Sequence, residues 1–255
     1  MKSLQALSFL FLVWAAGAAH DASAAPACAP DALGTARTLT LPREAAAYGK
    51  EQHGPLPLRK GEVVLTFDDG PEPATIDRVL GALAEQCVKA TFFMTGNNLA
   101  RHPALAQRVA AAGHTPALHS FAHPHLGSLS PADQMEDLDK ALAAFNAAFG
   151  RAPAAYRFPF LEQTPTLVAA LKEKRMTVAS IDLGIQDWAP NDMRSEALAG
   201  WLAKELDRTG GGIILMHDAN GPTADALPTL LRTIRDRGYK VVHLRWDDSA
   251  VPARD

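Results

Sequence analysis

The chain has 255 residues, 47% of them hydrophobic and 21% charged, with a formal net charge of -3. That balance excludes a disordered chain, and its mild acidity gives no basis for nucleic acid or an anionic membrane as partner. A polypeptide of this length buries roughly 70–75% of its unfolded surface, enough for one sizeable core.

Residues 1–24 read as a cleaved signal peptide. Lys2 supplies the positive end, the apolar run from Leu7 to Ala19 is too short to span a bilayer, and Ala22-Ser23-Ala24 offers a small-residue cleavage site. The protein is therefore expected to be exported, periplasmic or secreted, without stable membrane insertion. An uncleaved anchor and a lipid-modified Cys28 are the rival readings. Cys28 and Cys87 are the only two cysteines. An oxidising compartment favours their pairing; the competing reading makes Cys87 a small buried hydrophobe.

Residues 25–60 are Ala/Pro-rich and read as an irregular arm, leading into one domain over 61–248. From Val63 onward apolar strands alternate with amphipathic helices. The run Val63-Val64-Leu65-Thr66-Phe67 predicts a strand buried on both faces, ended by Asp68-Asp69-Gly70-Pro71. Ile76, Val79, Leu80 and Leu83 recur at helical spacing. Further strands are expected at Ala90–Thr95, His114–His119, Ala155–Phe160, Thr177–Asp182, Gly212–His217 and Tyr239–Leu244. The intervening helices run from His102 to Gly113, from Ser130 to Phe149, from Thr164 to Lys174, from Ser195 to Arg208 and from Asp225 to Arg237. About seven parallel strands joined by helices predict an α/β fold, a distorted and incomplete (β/α) barrel; an open doubly wound sheet is the alternative. No Gly-x-Gly-x-x-Gly turn points to a dinucleotide.

The polar residues collect at one end of these strands. Asp68 and Asp69 follow the first and His119 the third, with His123 four residues on. Arg157 lies near the end of the fourth, Asp182 ends the fifth just ahead of Asp187 and Trp188, and His217 ends the sixth. In a parallel barrel these positions share the carboxyl-end face, where barrel active sites are built. Two imidazoles and a carboxylate make a familiar zinc set with an open coordination position, and His125 is a competing ligand. The pair of histidines is not a metalloprotease helix, because Ser120 stands where that motif needs Glu and Pro124 opposes a continuing helix.

With these motifs in place, residues 61 to 245 resemble the polysaccharide deacetylases, the NodB-homology domain of carbohydrate esterase family 4. Thr66-Phe67-Asp68-Asp69-Gly70, His119-Ser120-x-x-His123, Arg157-Phe158-Pro159-Phe160, Asp187-Trp188 and Leu215-Met216-His217 correspond to its five motifs in order. Leu118 and Phe160 depart from the family pattern, where Asn and Tyr are frequent. The resemblance implies one divalent metal, Zn2+ by donor chemistry, on Asp69, His119 and His123. It implies Asp68 as general base with Arg157 orienting it, His217 as proton donor oriented by Asp187, and the Phe160 backbone N–H for the oxyanion. Trp188 and Leu215 would line a slot for the acetyl methyl group.

The function so implied is removal of acetyl groups from N-acetylated, or O-acetylated, sugars of a cell-envelope or extracellular polysaccharide. The partner is then an acetylated glycan, and the protein a monomer. Two alternatives stand beside it: a related hydrolase acting on a formyl or cyclic amide group, and a catalytically silent carbohydrate-binding protein on the same fold. Magnesium-dependent phosphoryl transfer is disfavoured, since imidazole ligands suit zinc better.

Overall fold

The computed structural model describes residues 28–189 and 194–247. The expected signal peptide, residues 1–24, lies outside the described residues. Among the described residues, ten parallel strands and seven α-helices make up an α/β fold. In chain order these are β1 (Thr35–Pro42), β2 (Ala47–Tyr48), β3 (Glu62–Asp68), α1 (Ile76–Glu85), β4 (Thr91–Met94), α2 (Gly96–Arg101) and α3 (Pro103–Ala111). Then come β5 (Thr115–Leu118), α4 (Pro131–Phe149), β6 (Ala155–Tyr156), α5 (Pro165–Glu173), β7 (Thr177–Ala179) and β8 (Leu183–Gly184). The chain continues through α6 (Ser195–Thr209), β9 (Gly212–His217), α7 (Gly221–Asp236) and β10 (Lys240–Asp247). None of the described helices is long and apolar enough to cross a membrane.

The barrel runs β8-β9-β3-β4-β5-β6-β7 and stays open, because β7 and β8 do not pair with each other. The expected single strand at Thr177–Asp182 divides instead. Its first part pairs with β6 and β2, and the chain resumes at β8 beside β9. The fourth expected strand is likewise short, giving way after Tyr156 to a 3-10 turn at Pro159–Leu161. Helix α2 was not foreseen, being only six residues long and polar in sequence.

Residues 25–60 are a correction. The arm read as irregular carries β1 and β2, and Thr35–Leu41 does alternate along a strand, with burial following every second residue toward its end. β1 lies along β10 over seven paired positions. β10 pairs with β3 at Glu62 and Val63, then crosses beneath the barrel. The Leu244 carbonyl accepts the hydroxyls of Thr91 and Thr115, and Trp246 Nε1 donates to Thr177 Oγ1. β2 fills the place beside β7 that a closing strand would take. Asp182 secures that seam, accepting Lys50 N–H with one oxygen and Ile213 N–H with the other at 2.7 Å each. Cys28 and Cys87 are joined by a disulfide, tying the arm to the end of α1.

Alternation along the strands sorts the apolar residues into two cores. Val63, Leu65 and Phe67 of β3, Phe92 and Met94 of β4, and Leu118 of β5 pack outward against the helices. Val64, Phe93, Ala117, Ala155, Ala179 and Ile213 form the barrel interior, closed from below by Leu41, Val242, Leu244 and Trp246.

Candidate active site

The same alternation carries polar side chains inward one step above that interior core. Val64 is followed on its face by Thr66 and Asp68, Ala117 by His119, Ala155 by Arg157, and Ile213 by Leu215 and His217. β3 and β9 pair in register from Val63 to Asp68, which sets His217 directly beside Asp68. Asp68, His119, Arg157, Leu215 and His217 thus meet because each lies an even number of positions beyond an interior residue.

Asp69 has the wrong parity to join them. It does so because its backbone is left-handed, with φ 78°, a conformation uncommon for a residue other than glycine. The Asp69 carbonyl is held there by Asn98 Nδ2 at 2.8 Å and Thr95 Oγ1 at 3.2 Å. The following Gly70 donates its N–H to Asp218, and a Cβ on that glycine would fall 1.8 Å from the Asp218 carboxylate.

Asp68 and Arg157 form a buried pair at the floor. Arg157 Nη1 donates to Asp68 Oδ1 at 2.7 Å and to Thr66 Oγ1 at 2.8 Å. Its other nitrogens donate to the Ala179 and Ser180 carbonyls, and its guanidinium lies 4.1 Å from the Phe93 ring centre. Burial raises the pKa of the Asp68 carboxyl, with Arg157 and His217 opposing that rise.

Asp69, His119 and His123 bring one donor atom each within 4.8 Å of one another. Asp69 Oδ1 is 3.5 Å from His119 Nε2 and 3.4 Å from His123 Nε2, too far for hydrogen bonds. That oxygen is buried and has no hydrogen-bond partner among the described residues. His119 Nδ1 lies 2.8 Å from the Arg157 carbonyl, which fixes the proton on Nδ1 and leaves Nε2 facing Asp69 with a lone pair. Burial holds the His119 pKa down to about 3, so the ring is neutral, as a ligand must be. Tetrahedral zinc with bonds of about 2.0–2.1 Å needs ligand atoms about 3.3 Å apart, close to the two spacings here. The residues fit a divalent metal of that kind. His125 stands outside the set, with Nδ1 3.1 Å from Glu162 Oε1.

His217 and Asp187 form a second charged pair. Asp187 Oδ1 is 2.9 Å from His217 Nδ1, while Oδ2 accepts the His217 N–H and the Thr223 hydroxyl. Burial disfavours the imidazolium, but the Asp187 hydrogen bond and charge outweigh it, and the His217 pKa is pushed up to about 9. His217 therefore holds its proton at neutral pH.

Two exposed aromatics border these groups. Trp188 meets the His217 ring edge-on at 5.7 Å, and its indole lies so close over Gly184 that a Cβ there would clash at 2.6 Å; Leu215 lines the same spot. Phe160 is left-handed (φ 54°), with its ring edge-on to His123 at 4.6 Å and stacked on His125 at 4.0 Å. Leu118 faces the outer core, away from these groups, and its carbonyl accepts the Arg157 N–H. Asn98 and Thr223 drew no attention in the sequence, and Thr66 stood in the first motif without a role, since each matters through a partner at least 29 positions away.

A profile described as polysaccharide deacetylase matches residues 56–179. A peptidoglycan-N-acetylglucosamine deacetylase of Bacillus cereus is 28% identical over 74% of this chain and 68% of its own. A chitooligosaccharide deacetylase of Bradyrhizobium is 30% identical over 70% of this chain and 87% of its own. Among solved structures, a peptidoglycan deacetylase of Bdellovibrio bacteriovorus superposes with a TM-score of 0.74 at 30% identity, covering 84% of this chain. The chain spans 59% of that protein's length, and 37% and 42% of two longer curated relatives. The profile match ends before Asp187, Trp188, Leu215 and His217.

Proposed function

The chain belongs to the polysaccharide deacetylase family, and on that premise we propose that it hydrolyses acetyl groups from N-acetylated sugars of a cell-envelope glycan. One observation carries this reading: two adjacent carboxylates are committed to different partners. Asp68 is bound to a buried guanidinium, while Asp69 faces two imidazoles with an oxygen left unpartnered.

Asp69, His119 and His123 would hold the metal, which when bound supplies Lewis-acid polarisation of the acetyl carbonyl and of the attacking water. Asp68 takes the proton from that water as a new C–O bond forms at the carbonyl carbon. Arg157 keeps the Asp68 carboxylate oriented, and its charge favours the ionised form. The Phe160 backbone N–H serves the developing oxyanion. An amine leaves poorly as an anion, so His217 delivers a proton to the sugar nitrogen while the C–N bond breaks, yielding acetate and the free amine. Asp187 holds the imidazole for that transfer. Trp188 and Leu215 enclose the acetyl methyl group, with Gly184 leaving room for the indole.

In this reading residues 61–248 form the catalytic domain, and residues 1–24 direct export. The disulfide supports an oxidising compartment. The substrate class rests on relatives whose names specify peptidoglycan and chitooligosaccharides. The test is acetate release from peptidoglycan, chitin oligomers and O-acetylated xylan, before and after metal stripping. Release from an N-acetylated glycan that disappears on stripping and returns with zinc is expected. Release from none of them, or release indifferent to stripping, overturns the proposal.

A further inference from the structure

We infer that Asp137, which reaches the metal-ligand loop from α4, is the residue that pre-forms His119 and His123 for metal. The inference rests on the metal reading given above. Asp137 projects from α4 and is buried. Its two carboxylate oxygens accept the backbone N–H groups of Phe121 and Ala122, at 2.9 and 3.0 Å. Those are two of the three residues between the histidines. The third, Ser120, accepts the His123 N–H on its hydroxyl at 3.0 Å.

This loop is not a conformation that its sequence favours. Ser120 and His123 both have left-handed backbones, with φ 58° and 55°, and neither is glycine. Such conformations persist where the surroundings over-determine them. The surroundings here act from two sides. The Asp137 carboxylate takes the loop's N–H groups, while Gly96 and Asn97 at the start of α2 donate to the carbonyls of Ser120 and Phe121 at 2.9 and 3.0 Å. Gly96 is forced to be glycine, since a Cβ would lie 2.4 Å from the Phe121 ring. α4 itself is firmly placed, capped by Ser130 at its start and ended by left-handed Gly150.

An ionised carboxylate suits this position because both of its oxygens accept and neither donates. In Asp137→Asn one oxygen becomes an NH2 group that confronts an N–H donor, so one loop amide is left without a partner. The two ligand rings, whose centres are 4.9 Å apart, would then no longer be held at the separation that the third ligand requires. Asp137 touches no metal donor atom, so it acts on the metal only through the loop. It is a positioning residue.

The experiment compares the wild type, Asp137→Asn and Asp139→Asn, which removes the same charge from an exposed position on the same helix. Zinc Kd is measured on metal-stripped protein by chelator competition, the cobalt-loaded forms are examined by visible absorption, and apo-protein Tm is recorded. Asp137→Asn is expected to weaken zinc binding roughly 10–100-fold and to alter the cobalt spectrum. Asp139→Asn should match the wild type in both. Unchanged zinc affinity and cobalt spectrum in Asp137→Asn, whatever happens to its Tm, overturns the inference. So does a loss of affinity shared equally by Asp139→Asn.

A variant that fails to fold leaves a second measurement, on the wild type alone. Binding and loop order are thermodynamically reciprocal, so zinc should slow hydrogen exchange at the Phe121 and Ala122 amides. Exchange there unaltered by saturating zinc overturns the coupling. If the wild type takes up no zinc at all, the metal reading of the site falls with it. Tight wild-type binding with an unaffected Asp137→Asn removes this inference alone.

Discussion

Asp68 and Asp69 are neighbours in the chain, yet Asp68 Oδ1 lies 2.7 Å from the Arg157 guanidinium while Asp69 Oδ1 faces His119 and His123 at 3.5 and 3.4 Å. Asp69→Ala should therefore lose metal and activity together. Asp68→Asn should keep the metal while turnover drops by roughly 10²–10⁴-fold, the usual loss on removing a general base. Metal stoichiometry, substrate affinity and turnover on both variants check this. Metal loss confined to Asp68→Asn would reverse the assignment.

Arg157→Met should strand the Asp68 carboxylate in a buried place without its cation. Breaking a buried pair from one side costs roughly 3–5 kcal/mol, which denaturant unfolding can read. Burial already raises the Asp68 pKa, and removing the opposing charge raises it further. A higher pKa leaves less carboxylate at a given pH, so the acid limb of the rate profile should move to higher pH. An unmoved acid limb would show that Asp68 is not the base.

On the proposed mechanism, His217 sets the alkaline limb. Its folded-state pKa, pushed up to about 9, lies above the ordinary value of about 6.5. The stabilising contribution of its charged pair with Asp187 is complete below about 6.5 and is lost as pH rises through about 9. Activity that needs the proton declines over the same rise, and a bound dication, by repelling the imidazolium, brings the limb down from about 9. Asp187→Asn removes the carboxylate that raises the pKa, so the limb should shift to lower pH. Rate profiles of the two proteins measure the shift, and identical alkaline limbs would exclude His217 as the acid.

The disulfide joins residues 59 positions apart. In the chain-entropy account a loop of that size contributes roughly 4 kcal/mol. Cys28→Ser with Cys87→Ser should lower Tm, and β1 and the β10 face it covers should lose protection in hydrogen exchange. Thiol counting under denaturing, non-reducing conditions should find none in the wild type. A pair of free thiols would refute the bond.

Much of this protein is legible in its linear order. Apolar runs ending in Asp68, His119 and His217 announce parallel strands, and period-two alternation alone places those three side chains, with Arg157, above the barrel interior. The alternation of Thr35–Leu41 was equally present, obscured by the Ala/Pro-rich sequence that precedes it. Alternation is a property of the local backbone and needs no partner, which is why sequence carries it. Other features required the folded chain. Asp69 enters the site against its parity because Asn98, Thr95 and the turn beyond it stabilise a left-handed backbone. Asp187 reaches His217 from a loop 30 positions earlier. The barrel stays open because β2, from the arm, occupies the place beside β7. Each of these depends on which distant groups come to lie within hydrogen-bonding reach, and that is decided only when strand register and loop packing are complete.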